Sequence, residues 1–313
     1  MTTHAQAYVR HPSFELAAAM SPTPAHLHAF QERWHIPRGY LTLEDMLRDD
    51  ALDVISLCSP NEQHVAQAVE ILTSPHRPRV LFMEKPVCGQ PHDLDRLVAL
   101  ARHTSVGVLV NHTRRFDPAY RRLAHLVRSG TLGALVSGRC LYYGGWFNIG
   151  VHLLDTLRML FSEDIEVVSA SPAGHGRGAD SNFHVGLRIG CASVIAEAFD
   201  ESCYQLFEWD LRFALGRVQL SMDGNIAVER VEVNGLDERV LAPAEGFPLQ
   251  GLDSPLLHAV GAIEAYLRGQ DPWGALGVDL ASASQTMKLL WEAQEMAREE
   301  PARHGAISHA AAR

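Results

Sequence analysis

Four apolar stretches with little polar alternation, FELAAAM (14–20), DVISLCS (53–59), VLFME (80–84) and VGVLVN (106–111), recur through the first third of the chain. A strand that is apolar on both faces belongs inside a sheet covered on both sides. Helical patterns separate these stretches, and strand–helix alternation lays successive strands parallel. Thr23 and Pro24 suit the N-cap and first position of the helix AHLHAFQERW (25–34). Val65, Ala68, Val69 and Leu72 share one face of SPNEQHVAQAVEIL (59–72), and Leu94, Leu97, Val98 and Ala101 share one of DLDRLVALA (93–101). Ahead of them, HAQAYVRHP (4–12) reads as the body of a helix. Ligands of parallel sheets bind at the carboxyl ends of the strands. Here those ends are MSP (20–22), CSPN (58–61), MEKP (83–86) and VNHTRRF (110–116).

Beyond residue 116 the pattern changes. LVSGRCLYY (135–143), EVVSAS (166–171), HVGLRI (184–189), SVIAEAF (193–199), LFEWDLRFA (206–214), GRVQLS (216–221) and AVERVEV (227–233) follow one another through short turns such as MDGN and VNGLDE. Serial strands joined by short turns imply an antiparallel sheet, and so an α+β domain. The helix VHLLDTLRMLF (151–161) lies near its start, and SPLLHAVGAIEAYLRG (254–269) and DLASASQTMKLLWEAQEMAREE (279–300) close the chain. At 313 residues two domains are expected: a Rossmann-like α/β domain over 1–116, amino-terminally shortened, and an open, mostly antiparallel sheet domain with helices over 117–313. A parallel sheet over 14–115 and an antiparallel one over 130–235 would then flank a cleft.

Composition narrows the partners. A net charge of -10 without a lysine and arginine cluster argues against a nucleic-acid surface. No apolar run approaches a membrane span, and MTTHAQAY lacks the character of a signal peptide. Five widely spaced cysteines without a CxxC suit the reduced thiols of a cytoplasmic protein. His26 and His28 diverge at i,i+2 on a helix, so no metal site is expected.

DVISLCSPNEQH, VLFMEKPVCG, VLVNHTRRFDPAY and YYGGWFNIGVHLLDTLRMLF together resemble the oxidoreductase superfamily of glucose–fructose oxidoreductase and inositol dehydrogenase, in the same order, from His4 to Ala297. The resemblance implies NAD or NADP as cofactor, and hydride transfer to or from a sugar, sugar nucleotide, cyclitol or related polyhydroxy small molecule. It implies a homodimer or higher homo-oligomer formed through the open sheet. The aromatic row Phe207, Trp209, Leu211 and Phe213 must be covered by helices or by another subunit.

Oxidising an alcohol needs a group that takes its proton, and a lysine partly desolvated near a cationic ring has a lowered pKa. The family's catalytic lysine falls on Lys85, beside Pro86; the alternative is a surface lysine. His152 matches its proton-transfer histidine. Asn148, four residues earlier, stands where many members carry an aspartate; it cannot act as a base but can orient a hydroxyl. An i,i+4 pair shares a helical face; the alternative makes Asn148 a helix cap and His152 a core residue. The resemblance also assigns cofactor contacts to Ser21, Ser59, Asn61, His64, Glu84 and Lys85, and substrate contacts to Arg115, Tyr143, Asn148 and Asp155, although Asp155 by itself reads as structural.

One departure stands out. In the family a strand and a glycine-rich turn precede the helix that matches HAQAY, and the turn receives the pyrophosphate. No G-x-G-x-x-G stands there in this sequence, and Ser21 replaces the acidic residue that would hold the ribose, with no arginine beside it for a 2′-phosphate. The chain either starts farther upstream or has lost conventional cofactor binding. A missing central strand costs several buried side chains, each worth roughly 1.5–3 kcal/mol, so either its neighbours close up or another chain fills the place. The alternative function is a cofactor-independent descendant: a redox-neutral enzyme or a non-catalytic subunit.

Overall fold

The computed structural model describes residues 3–49, 51–177, 180–270 and 272–310. The chain divides into two compact units, Met1–Phe116 with Ser254–Ser284, and Asp117–Asp253 with Gln285–Arg313. The first begins with α1 (His4–Arg10), β1 (Ala18–Met20), α2 (Pro24–Trp34), β2 (Arg38–Tyr40), α3 (Leu43–Leu47) and β3 (Val54–Leu57). It continues with α4 (Asn61–Thr73), β4 (Val80–Met83), α5 (Pro91–Arg102), β5 (Gly107–Val110) and α6 (Thr113–Phe116).

All five strands pair in parallel, as the alternation requires, but in two sheets rather than one: β1–β2, and β3–β4–β5. β1 and β3 are not paired, so the neighbours of the expected central strand do not close up. Of FELAAAM only the last three residues form a ladder. Leu16, just before them, packs against both the cluster of Ala19, Leu27 and Ile36 and the cluster built on Phe82 and Leu109. Every residue of β4 and β5 is buried, which explains their unbroken apolar sequence. The buried face of α4 is His64, Ala68, Ile71 and Leu72; Val65 and Val69, expected on it, are half-buried. That rotation brings a histidine into the core stripe.

The second unit opens with α7 (Pro118–Arg128), β6 (Leu135–Tyr142), a π-helical turn over Trp146–Gly150, and α8 (Val151–Leu160). Then come β7 (Ile165–Arg177), β8 (Asp180–Ile189), β9 (Ala192–Ala198), β10 (Glu208–Phe213), β11 (Gly216–Leu220), β12 (Asn225–Val233), β13 (Arg239–Pro243) and β14 (Leu249–Gln250). They form one sheet in the order β13-β12-β11-β10-β6-β9-β8-β7, with β14 beside β12. It is antiparallel except where β6 meets β9. Phe207, Trp209, Leu211 and Phe213 are buried within this chain. On the other side of β10, Asp210 accepts from Arg217 at 2.8 Å and pairs with Arg212, while Arg139 of β6 donates to Glu197 of β9 at 2.8 Å.

Residues 254–284 depart from the expected division. α9 (Pro255–Leu267) sets Ala259, Val260 and Ile263 into the core of the first unit, with Ala7, Tyr8, Phe82 and Leu109. After α10 (Pro272–Leu276), Val110 N–H donates to the Val278 carbonyl at 2.9 Å. Trp273 lies so close to Gly107 that a Cβ there would stand 2.6 Å from its ring. The chain returns to the first unit because its apolar parallel sheet needs a second cover. α11 (Leu280–Ala310) starts there and continues in the second unit, where the Trp146 indole donates to the Leu290 carbonyl at 3.0 Å.

Candidate active site

In the first unit the polar residues gather at the carboxyl ends of β3, β4 and β5. Glu84 N–H donates to the Leu57 carbonyl at 3.1 Å, continuing the β3–β4 ladder by one bond. The Glu84 carboxylate accepts from Asn111 Nδ2 at 2.6 Å and pairs with His4 Nε2 at 2.6 Å. Burial alone would push His4 down; its contacts with Cys58 and Glu84 outweigh that and raise it to about 10. Glu84 mirrors it. Burial would raise this carboxyl, but the hydrogen bond and charge of His4, the Asn111 amide and the charge of Lys85 bring it below its ordinary value. The pair is therefore an imidazolium against a carboxylate at neutral pH.

Lys85 follows, half-buried, joined to Pro86 by a cis peptide bond. His64 is wholly buried, with Nδ1 2.8 Å from the Pro86 carbonyl and Nε2 2.9 Å from the Ser59 carbonyl. Ser59 Oγ and Asn111 Oδ1 are buried and have no hydrogen-bond partner among the described residues. Asn61, the first residue of α4, is exposed. Ser21, half-buried after β1, donates its N–H to the Tyr40 carbonyl at 3.1 Å, and its hydroxyl accepts from Thr23 N at 3.3 Å. Arg115 is buried and donates to the Leu276 carbonyl at 3.2 Å.

In the second unit, the π-helical turn carries Asn148 and leads into α8 with His152. Asn148 is exposed; its amide nitrogen donates to the Gly144 carbonyl at 3.1 Å. The Asp180 carboxylate accepts from Phe147 N at 3.0 Å and Asn148 N at 2.8 Å, so it caps this turn. The buried Asn182 accepts from Gly145 N at 3.0 Å. Gly145 has φ +97, and a Cβ on it would strike the Asp180 carboxylate. His152 is half-buried and its carbonyl accepts from Thr156 Oγ1 at 2.6 Å; Tyr143 is half-buried. Asp155 is buried and accepts from Thr286 Oγ1 at 3.2 Å.

Residues 1–112 match the oxidoreductase family with an NAD-binding Rossmann fold. The matched stretch is that of the Gfo/Idh/MocA oxidoreductases, and it spans the first 112 of the 313 residues. The chain is 24% identical to mouse trans-1,2-dihydrobenzene-1,2-diol dehydrogenase over 51% of this chain and 52% of that one, so the match spans about half of that relative. It is 24% identical to 1,5-anhydro-D-fructose reductase of Ensifer adhaerens over 87% of this chain and 86% of the reductase. Its fold is similar to a solved structure of levoglucosan dehydrogenase in complex with NADH, with a TM-score of 0.78, 15% identity and coverage of 95% and 94%.

The ends of β3, β4 and β5 gather polar side chains on the side of a parallel sheet that takes ligands. The orphaned Ser59 Oγ and Asn111 Oδ1 offer polar atoms for which the described residues hold no partner. Four residues of these two sets were not singled out by sequence reasoning: His4, Asn111, Asp180 and Asn182. Of 27 lysine and arginine residues only Lys85 and Lys288 are lysines. Lys288 is exposed on α11, whereas Lys85 is half-buried at a strand end.

Proposed function

We propose that the protein is an NAD(P)-dependent oxidoreductase acting on a sugar, cyclitol or related polyhydroxy small molecule. The observation that carries this reading is the setting of Lys85: half-buried at the end of an apolar parallel strand, between a Glu84 held by two side chains and a Pro86 held by His64. The bound nicotinamide would accept or give the hydride. Ser59, Asn61, Glu84 and Lys85 would hold and orient that half of the cofactor. Lys85 would polarise the reacting oxygen and relay its proton, and the resemblance gives His152 a role in proton transfer. Asn148, with its main chain fixed by Asp180, would orient a hydroxyl.

A second reading, a family descendant that does without the nicotinamide, is favoured by one observation. Ser21 replaces the ribose-binding carboxylate, and its hydroxyl and N–H are bonded within the chain. Calorimetry with NAD+ and NADP+ separates the two readings. Each missing charge-assisted contact costs roughly 1.5–3 kcal/mol, so we expect binding weaker than micromolar yet measurable. At millimolar cofactor a panel of polyols should show nicotinamide reduction that Lys85→Met lowers by about 10²–10⁴-fold. No binding and no turnover with either cofactor would exclude the oxidoreductase reading in favour of the second.

A further inference from the structure

His64, wholly buried, is a polar side chain in direct reach of the Lys85–Pro86 turn. Each of its ring nitrogens lies within hydrogen-bond distance of a main-chain carbonyl, Nε2 at 2.9 Å from Ser59 and Nδ1 at 2.8 Å from Pro86. A carbonyl only accepts, so the ring is the donor, and a neutral imidazole with its one N–H donates to one of the two carbonyls at a time while packing against the other. The two carbonyls lie in different turns, one after β3 and one after β4. His64 reaches them because it stands on the first turn of α4, in line with the buried Ala68 and Leu72.

We propose that His64 is a positioning residue, a brace between these two turns that sets where Lys85 stands. Resemblance alone would make it a cofactor contact. Lys85 is flanked on one side by Glu84, which His4 and Asn111 hold, and on the other by Pro86, which His64 holds. Without the brace, the Pro86 carbonyl loses its contact with the His64 ring, and the turn that carries Lys85 loses that tie to α4. The same ring fixes Ser59, whose buried hydroxyl has no partner among the described residues. One side chain thus keeps two of the polar groups at the strand ends in register. The inference rests on the proposed function only in giving Lys85 a chemical task.

The test reads the brace directly. The full chain is trace-labelled with acetic anhydride at mildly alkaline pH, and acetylation of Lys85 is measured by mass spectrometry against Lys288, the exposed second lysine. In His64→Leu the Lys85/Lys288 ratio should change by about threefold or more, the scale on which an amine's surroundings alter its reactivity. In His64→Gln, whose amide can donate to a carbonyl, the ratio should return toward the wild-type value. An unchanged ratio in folded His64→Leu, or equal ratios in the two variants, would overturn the proposal. So would loss of folding in both, since His64 would then be a general core residue. A wild-type protein without nicotinamide activity would defeat the proposed function and leave the labelling result standing.

Discussion

Replacing His4 with alanine removes the charge pair that ties α1 to the end of β4, together with the ring's contacts with Cys58 and Phe82. The variant removes the 2.6 Å contact and leaves the Glu84 carboxylate with Asn111 as its remaining hydrogen-bonded side chain. Breaking a fully buried pair costs about 3–5 kcal/mol, and an exposed pair contributes about 0–1 kcal/mol. The two side chains are 15% and 26% exposed, so the loss should fall between, at about 2–3 kcal/mol. Its pH dependence has a fixed sign. His4 is raised from 6.5 to about 10, so its contribution is complete below pH 6.5 and fades as pH rises toward 10. Glu84 is lowered from 4.5, so its contribution is present above pH 4.5 and is lost as pH falls below it. Urea unfolding of wild type, His4→Ala, Glu84→Gln and the double variant should show a coupling energy that peaks between these limits. A gap between wild type and His4→Ala that is equal at pH 4, 6 and 9 would refute the ion pair and leave only packing, about 1 kcal/mol or less for so small a contact.

Gly145→Ala should destabilise the second unit by about 1–3 kcal/mol from backbone strain alone, because φ is +97 and the new methyl meets Asp180; a thermal melt equal to wild type would show that the turn can yield. Given a turnover assay, His152→Ala should lower kcat by about 10²–10⁴-fold with folding retained, and unchanged turnover would remove it from proton transfer. Light scattering at micromolar concentration should report at least a homodimer, the assembly the family resemblance implies. A monomer would leave the Arg139–Glu197 and Arg217–Asp210 face as an ordinary solvated surface.

How much of the fold could be read depended on how each element meets its surroundings. β4 and β5 are buried on both faces, so every residue had to be apolar and the sequence announced them. β2 is three residues, Arg-Gly-Tyr, none of them buried, and carries no pattern to detect. The helix over 255–267 was legible as a buried helix, since apolar residues recur along it. Its address was not, because hydrophobicity says that a face is covered and never by what. Only the three-dimensional contact with Tyr8, Phe82 and Leu109 assigns it to the first unit.

The site divides along the same line. Lys85 was visible because the family resemblance sets a lysine there, at the end of an apolar strand and in front of a proline. Its supports were hidden by distance along the chain: His4 lies 80 residues from Glu84, and Asp180 lies 32 from Asn148. The Asn148–His152 spacing shows the limit of a local rule. Placing i and i+4 on one face assumes about 3.6 residues per turn, yet residues 146–150 form a π turn in which Gly150 N–H reaches back to the Gly145 carbonyl at 3.1 Å. Such wider turns are rare and recur at functional sites. Two glycines make this one possible: Gly145 lies under Asp180, and Gly150 lies under the Trp146 ring, where a Cβ would collide with it. The turn is therefore encoded by the pattern G-W-x-x-x-G together with a carboxylate on β8. A reading confined to the helix finds the glycines and misses the acid that fixes them.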